Sequence, residues 1–399
     1  MCDACNDKIE ILTRDGESRR TFLRTGAALA AAPLAAGALA GRASAQEAGA
    51  LSEAETQAWA AFDDSGAFAP HSITRRAARS KDVVIEIMYS AICHSDIHTI
   101  KGDWGAPNYP VVPGHEIVGR VVGVGAEVIK FREGDIAGVG TIVASCGECD
   151  NCLADREQNC LRGTTFTYDS EDKVSGGRTY GGYSRRIVVH EDYVLRVPPG
   201  MGLAGVAPML CAGITTFSPL QHWNLERGQR FGVIGMGGLG HLAVKLAVAK
   251  GAEVVVFTTS EDKIDDALSF GAVEAYLSTD QDALRSQMGR FDLMLSTVPV
   301  AYQMQPFLNM LKLDKTLVNV GALTQLSGFQ GMFMGFGRQS LAGSMTGGIA
   351  ETQRVIDFAA DHGITASYEL IRPEQIAEAC ENVVNKRARY RYVIDMTAA

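Results

Sequence analysis

The sequence is short of basic residues, of long apolar runs and of repeats, and each shortage excludes a class of protein. Its 37 lysines and arginines are outnumbered by 46 aspartates and glutamates, for a net charge of −9, so no basic face for nucleic acid is expected. No stretch of about 20 residues has the apolar density of a membrane-spanning helix. Beyond Gln46 there is no internal repeat and no low-complexity segment. A globular chain of 399 residues remains, for which two domains are expected.

Residues 1–45 have the three-part layout of an export signal. Arg19-Arg20 with Phe22-Leu23 resembles a twin-arginine motif, an Ala-rich run follows over 26–40, and small residues at 43–45 suit cleavage before Gln46. The alternative is an Ala-rich surface helix. We therefore predict a periplasmic or otherwise exported protein that uses the twin-arginine export machinery, with a cytoplasmic pool as the alternative.

Four cysteines are packed into fifteen residues, with two residues between successive members of the first three. They are Cys146, Cys149, Cys152 and Cys160. Four thiolates on a short loop suit one tetrahedral zinc ion and leave no position for water, which indicates a structural metal site. A disulfide pair is the alternative, and the tight spacing would strain it.

A second set of metal-ligand residues is dispersed along the chain. Cys93, His115 and Cys211 form the Cys₂His set of a catalytic zinc site, whose fourth position stays open for water or substrate. Each residue alone is weak evidence, because a single buried Cys or His belongs to the core more often than to a metal site. Together with the four-cysteine loop the set becomes specific.

A glycine-rich turn between a strand and a helix predicts a dinucleotide site. Phe231–Ile234 is a short apolar strand, His241–Lys250 has the apolar spacing of a helix, and Val254–Phe257 is the next strand. Such a unit lets backbone N–H groups approach a pyrophosphate at a helix N-terminus. The alternative is a purely structural turn. The candidate cofactor-binding residues of the turn are Gly235, Gly237, Gly238, Leu239 and Gly240.

The end of the second strand favours NADP over NAD. An NAD site usually places an acid there to bind the ribose 2′-hydroxyl, but this chain has Thr258-Thr259-Ser260 followed by Lys263. Hydroxyls and a lysine suit a 2′-phosphate. Glu261 and Asp262 are expected at the start of the next helix, where acids are favourable.

These motifs resemble the zinc-dependent medium-chain alcohol dehydrogenases, in particular the cinnamyl alcohol dehydrogenase-like, NADP-dependent aldehyde reductases. Both cysteine sets carry the resemblance, together with the segments 114–119, 181–184, 211–216 and 343–348. It extends from about Lys81 to Asp395 and is weakest over residues 46–75.

The resemblance implies an α/β fold of two domains. A GroES-like, mainly β catalytic domain is expected over 46–211, with the structural-zinc lobe at 146–160. A Rossmann domain with a doubly wound parallel sheet follows over 212–349, and residues 350–399 return to the catalytic domain. Alternating apolar runs at Val83–Met88 and Ile117–Val124 favour strands in the first part.

The resemblance also implies roles for single residues. Ser95 would pass a proton toward His98, which could otherwise be a surface histidine. Asp96 would orient His115, and Glu116 would either approach the zinc or lie behind its ligands. Trp104 would border the substrate pocket, or else be an ordinary core residue. Remaining cofactor contacts would come from His94 at the pyrophosphate and, around the nicotinamide, from Thr215, Thr297, Gly321, Ser344 and Met345.

The expected function is a zinc- and NADP-dependent alcohol dehydrogenase or aldehyde reductase, acting on a small-molecule alcohol or aldehyde. A homodimer is a family expectation. Two alternatives stay open: an exported metal-binding or redox-buffering protein, and a zinc-independent enone or quinone reductase of the same fold. The dinucleotide turn and the Ser95/His98 pair argue against the first, and the Cys93 set argues against the second.

Overall fold

A computed structural model of the chain describes residues 50–173, 176–321, 326 and 328–398. These residues belong to one compact unit. The predicted export signal at 1–45 lies outside the described residues.

Most of the strands belong to two large sheets, and two further pairs of strands stand apart. The strands are β1 Ala54–Ala61, β2 Phe68–Arg75, β3 Asp82–Ala91, β4 Ile117–Val124, β5 Ile136–Val139, β6 Ile142–Ala144, β7 Thr165–Phe166, β8 Arg186–His190, β9 Leu195–Arg196, β10 Arg230–Ile234, β11 Glu253–Thr258, β12 Glu274–Leu277, β13 Phe291–Ser296, β14 Leu311–Asn319, β15 Ser340–Gly343, β16 Tyr368–Ile371 and β17 Arg391–Asp395.

The helices connect these strands. They are α1 His94–Ile100, α2 Asp150–Leu153, α3 Leu203–Val206, α4 Ala212–His222, α5 Gly240–Ala249, α6 Asp262–Ser269, α7 Gln281–Ser286, α8 Gln305–Leu308, α9 Gly331–Gly337, α10 Ile349–Asp361 and α11 Ile376–Val384. Short 3₁₀ turns cover Glu157–Asn159, Glu191–Tyr193, Ala207–Leu210 and Pro373–Gln375.

The seven-stranded sheet brings distant metal-ligand residues together. Its order is β16-β17-β3-β4-β5-β9, with β8 also paired to β3. In the antiparallel pair of β3 and β4, Ser90 lies opposite Ile117. Cys93 follows the end of β3 and His115 precedes the start of β4, so this register places the two residues side by side.

The six-stranded sheet is parallel throughout and has the order β12-β11-β10-β13-β14-β15. The strand order reverses between β10 and β13, and a crevice opens at the carboxyl ends of the strands at such a reversal. The turn after β10 is the predicted glycine-rich turn, so the sheet places it at this crevice. The GroES-like and Rossmann-like architecture predicted from the sequence is confirmed by this topology and by the similarity to known proteins described below.

Strand β14 is longer than the sequence indicated. The apolar run predicts a strand from Leu317 to Val320, whereas β14 begins at Leu311 and ends at Asn319. The first half carries Lys312, Asp314 and Lys315 and is largely exposed, so hydrophobicity alone does not detect it.

The C-terminal segment returns to the first sheet. Strand β17 pairs antiparallel with β3, with Val393 opposite Ala91, and β16 extends the sheet beyond it. The segment thereby brings Arg391 beside the chain that follows β3.

Among the described residues no single helix is both long and apolar enough to cross a bilayer. One bent pair, Leu203–Leu210 with Ala212–His222 at 56°, passes that test jointly. Its Leu210, Phe217 and Leu220 are fully buried in the protein core.

Candidate active site and metal centres

Cys93, His115 and Cys211 converge with Glu116 on one point. All four side chains are buried, and one ligand atom from each lies within 4.8 Å of the others. The two sulfur atoms are 3.9 Å apart. For a zinc ion with Zn–S bonds of about 2.3 Å, sulfurs at tetrahedral positions lie about 3.8 Å apart, so this donor set fits zinc.

The two thiols of this set have opposite acidities. The hydrogen bond from Cys211 holds the pKa of Cys93 well below its usual value, and the same bond with burial raises the pKa of Cys211 well above it. The lowered pKa favours the thiolate of Cys93, which is the state that binds a metal.

The Asp96 carboxylate organises the ligands from behind. It is fully buried and accepts four hydrogen bonds, from Cys93 N (2.9 Å), Gly114 N (3.2 Å), His115 Nδ1 (3.1 Å) and Tyr183 Oη (3.1 Å). Burial alone would lower the pKa of His115, but Asp96 raises it well above the ordinary value. With Nδ1 bound to the carboxylate, His115 presents Nε2 to a metal. The contact expected between these two residues is therefore present.

Glu116 has a partner that the sequence did not suggest. Its Oε2 forms a buried ion pair with Arg391, and its Oε1 accepts a hydrogen bond from Ala212 N at 3.3 Å. Arg391 also donates to Ile92 O at 2.8 Å. Burial raises the pKa of Glu116 to about 8 against the opposing effect of Arg391. No local motif connects positions so far apart, so only the return of β17 to the first sheet identifies Arg391.

The four-cysteine lobe forms a second, separate donor set. The sulfurs of Cys146, Cys149, Cys152 and Cys160 lie within 4.8 Å of one another and none forms a disulfide. Backbone N–H groups point at them, from Cys149 to the Cys146 sulfur and from Leu161 to the Cys149 sulfur, both at 3.4 Å. Hydrogen bonds from the backbone N–H groups of Cys152 and Leu161 lower the pKa of Cys149 to about 6. Four sulfurs with oriented backbone donors fit a closed zinc site.

A cavity of about 1040 Å³ opens from the Cys93 set and runs along the glycine-rich turn. Gly235 has φ of +96°, which favours glycine. A Cβ at Gly240 would lie 2.0 Å from Gly235 O, whereas at Gly237 nothing lies within 4 Å. The turn is thus closely packed on its inner side and open toward the cavity at Gly237, which fits a bound pyrophosphate.

The cavity also reaches the residues predicted for the 2′-phosphate. Thr258, Thr259, Ser260 and Lys263 all border it. The hydroxyl of Thr258 accepts a hydrogen bond from Ser260 N at 3.2 Å and so shapes the turn. Lys263 lies over the Tyr390 ring, 5.6 Å from its centre, and burial lowers its pKa. Asp262 begins α6 and pairs with Arg389 at 2.8 Å.

Most of the predicted cofactor residues border this one cavity, and a few do not. Those on its wall are His94, Thr215, Gly235, Gly237, Gly238, Leu239, Thr297, Gly321 and Met345. Gly240 lies behind the turn, where α5 packs against Gly235. Ser344 is held by its backbone N–H on Asn319 O at 3.2 Å and lies off the wall.

Ser95 and His98 lie three residues apart on α1, and both border the cavity. Residues with this spacing share a helix face. Ser95 Oγ is 3.6 Å from Cys93 Sγ, and His98 Nδ1 is 2.7 Å from an oxygen of Asp103. The helix thus places a hydroxyl beside the metal ligands and an oriented imidazole near the solvent side.

Aromatic side chains form the wall of the cavity near the Cys93 set. Trp104 borders it as expected and stacks near His98, with 5.1 Å between ring centres. Phe166 and Tyr168, which the sequence reasoning missed, border it as well. Tyr168 lies 5.6 Å from the His115 ring. The alternation of threonine and aromatic residues over 165–168 was the available signal, since β7 begins at Thr165.

Comparisons with known proteins agree with this geometry. Residues 79–199 match the alcohol dehydrogenase GroES-like domain, and residues 238–361 match the zinc-binding dehydrogenase family. The chain is 48% identical over 341 residues to an NADP-dependent alcohol dehydrogenase C of Mycobacterium bovis, covering 86% of this chain and 98% of that protein. It is also 48% identical to the aldehyde reductase YahK of Escherichia coli, covering 82% of this chain and 94% of the other.

Solved structures show the same similarity. A cinnamyl alcohol dehydrogenase from Sorghum bicolor matches with a TM-score of 0.84 at 39% identity, covering 87% of this chain and 99% of that one. The Helicobacter pylori enzyme complexed with NADP(H) matches with a TM-score of 0.82 at 40% identity and the same coverage. The chain belongs to the zinc-dependent medium-chain alcohol dehydrogenase family, as its motifs predicted.

Proposed function

We propose that this protein interconverts an alcohol and an aldehyde with NADP(H), at the site formed by Cys93, His115 and Cys211. The observation that carries the proposal is that this zinc-type donor set opens into the same cavity as the glycine-rich turn and Lys263. The activities named for the relatives at 48% identity support it.

The chemistry divides between the bound groups and the chain. When bound, zinc polarises the carbonyl oxygen and the nicotinamide exchanges the hydride. Cys93, His115 and Cys211 would hold the metal, with Asp96 fixing the first two in position. Arg391 donates a hydrogen bond to Glu116 behind the site, so that the buried carboxyl group and the buried guanidinium are partners of each other.

The proton that the reaction requires would be supplied by two side chains of the protein, the hydroxyl of Ser95 and the imidazole of His98. Ser95 Oγ lies beside the Cys93 sulfur and on the cavity wall, so its O–H is placed to donate to the oxygen of a bound substrate. His98 lies on the same helix face and is partly exposed. It is positioned to exchange that proton with solvent, and its bond to Asp103 sets the orientation of the ring.

Trp104 and Phe166 suit flat or apolar substrates. Both border the cavity, and apolar contact area favours such aldehydes over small polar ones. We therefore expect aromatic aldehydes to be reduced with lower KM than short aliphatic ones.

The test is NADPH consumption by the purified full chain across aliphatic and aromatic aldehydes, beside a Cys93→Ser variant. Turnover that is lost in the variant supports the proposal. Absence of turnover with every aldehyde, in protein that carries two zinc ions per chain, would contradict it.

We propose also that residues 1–45 direct export by the twin-arginine route, supported by the layout of that segment alone. Because this route carries folded proteins, NADP would travel tightly bound and be recycled in place by oxidising one alcohol while reducing another aldehyde. Fractionation of cells with an Arg19→Lys/Arg20→Lys variant tests the route, and the variant should stay in the cytoplasm. Exported protein that carries no nucleotide and rebinds it weakly would contradict the recycling.

A homodimer is the third proposal. Strand β15 is last in the order of the parallel sheet, and α9 beside it exposes Met332, Phe333 and Phe336, an apolar surface that a second copy would cover. Analytical ultracentrifugation should give twice the chain mass. Phe336→Glu should shift the protein toward the monomer, and a monomeric wild-type chain would refute the proposal.

A further inference from the structure

A second lysine borders the cavity at the end where Lys263 lies. Lys386 is on the cavity wall together with Thr259, Ser260 and Lys263. Lys386 lies in the turn between α11 and β17, and β17 is a strand of the seven-stranded sheet. Lys263 lies on α6, which follows strand β11 of the parallel sheet. The two lysines therefore reach one cavity from different parts of the fold.

The turn that carries Lys386 is held by its backbone. Lys386 adopts a φ of +60°, and its N–H donates to Val383 O at 3.1 Å. The next residue, Arg387, donates from its N–H to Asn382 O at 2.8 Å. The position of the Lys386 Cα is thus set by hydrogen bonds at the end of α11.

The cationic side chains around this end of the cavity differ in their ion-pair partners. Arg389 is engaged by Asp262 at 2.8 Å and by Asp266 at 3.5 Å. Lys386, by contrast, takes part in no ion pair within the described part of the chain. Its charge nevertheless acts on Lys263: burial lowers the pKa of Lys263, Asp262 and Asp266 raise it, and Arg389 and Lys386 lower it. The two lysines thus lie close enough for their charges to interact, and both border the cavity beside two hydroxyl-bearing residues.

A phosphate monoester is the ligand group that this site fits. It carries a charge of about −1.5 to −2 at pH 7 and three acceptor oxygens. The hydroxyls of Thr259 and Ser260 with two ammonium groups supply matching donors. The ribose of a dinucleotide that lacks the phosphate offers no such charge.

We propose that Lys386 is a specificity-determining residue that, with Lys263, binds the 2′-phosphate of NADP(H). The inference rests on the proposed function, since it deepens the cofactor assignment. The preference for NADP over NAD is then set jointly by the parallel sheet and by the C-terminal segment.

The test compares Lys386→Gln with Arg387→Gln in the full-length, zinc-loaded protein. Arg387 is the neighbouring exposed cation in the same turn, but it does not border the cavity. Dissociation constants for NADPH and NADH are measured by nucleotide fluorescence, and 2′,5′-ADP and 5′-AMP serve as competitors. Lys386→Gln should weaken NADPH and 2′,5′-ADP by about three- to tenfold and leave NADH and 5′-AMP unchanged. Arg387→Gln should change none of them.

Two further variants bracket this effect. Lys386→Arg should restore NADPH binding to within about twofold, because the charge is kept. Lys263→Gln should weaken NADPH more than Lys386→Gln, because Lys263 is the more buried donor. Higher salt should weaken NADPH binding less in Lys386→Gln than in the wild type.

Two results overturn the inference. Equal weakening of NADPH and NADH would make Lys386 a structural residue, and unchanged NADPH binding would remove it from the site. A wild-type chain that binds NADPH no more tightly than NADH fails differently, since it refutes the NADP assignment itself.

Discussion

The two cysteine clusters use the same sulfur donors in different surroundings. The lobe of Cys146, Cys149, Cys152 and Cys160 is built from one loop, and its first two members are partly exposed. Its sulfurs are surrounded by backbone N–H groups. The Cys93 set is assembled from three distant segments, is wholly buried, and has Asp96, Glu116 and Arg391 behind it.

This difference separates a metal that stabilises a loop from one that takes part in chemistry. Four sulfurs complete the coordination of the lobe, whereas the Cys93 set faces a cavity of about 1040 Å³. Charged neighbours in a buried site fix the protonation state of each ligand. In the lobe, backbone N–H groups rather than charged side chains lower the pKa of Cys149.

The largest expected effect is on activity, from Cys93→Ser. Loss of one sulfur from the buried set should reduce kcat/KM by on the order of a thousandfold or more, since metal and proton donor act together there. Zinc content should fall from two to one per chain, as measured by atomic absorption. A variant that retains both ions and full activity would break the distinction between the clusters.

Cys149→Ser is the matched change in the lobe. We expect the zinc content to fall by the same amount, with the thermal midpoint lowered by roughly 5 °C or more. Activity at 25 °C should decrease far less than in Cys93→Ser. Should both variants lose activity equally while remaining folded by circular dichroism, the lobe would be part of the catalytic machinery.

Asp96→Asn tests whether the carboxylate behind the Cys93 set holds the metal ligands in position. An amide cannot accept all four hydrogen bonds that the carboxylate accepts, so zinc affinity or activity should fall about 10- to 100-fold. Tyr183→Phe removes only one of those donors and should cost less. Metal affinity by competition with a chelator is the measurement, and an unchanged affinity in Asp96→Asn would contradict the role.

The smallest expected effect is on the stability of the folded protein at low pH. It concerns His241, a buried histidine whose ring contacts backbone groups where His115 contacts a carboxylate. His241 accepts a hydrogen bond from Ser367 N at 3.1 Å, and burial, then the charges of Lys245 and Arg391, lower its pKa well below the ordinary value. The unfolded chain therefore binds a proton at pH values where the folded chain does not. Stability is full above the unfolded pKa of about 6.5 and falls as the pH drops below it, by up to about 1.4 kcal/mol per pH unit.

Urea unfolding at pH 7 and pH 5.5 measures this contribution. His241→Gln should show a flatter dependence on pH than the wild type, and His222→Gln, at an exposed histidine, should keep the wild-type slope. Identical slopes in all three proteins would show that His241 does not resist protonation.

The sequence alone was sufficient to predict the motifs whose residues lie close together in the chain. The four-cysteine lobe, the turn from Gly235 to Gly240, and the Thr258–Ser260 segment are each local, because a loop or a single βαβ unit places their residues together. Membership of the family followed from the same motifs. Strand β14 shows the limit, since its largely exposed first half alternates Leu311 and Leu313 with charged residues and gives no continuous apolar run.

Only the tertiary structure decided which distant residues meet. Arg391 reaches Glu116 because β17 returns to pair with β3, and Tyr183 reaches Asp96 from a segment far away in the sequence. Lys386 joins Lys263 at one cavity for the same reason. Sequence patterns record the periodicity of single elements, whereas contacts between elements depend on strand order and register, which no local pattern contains.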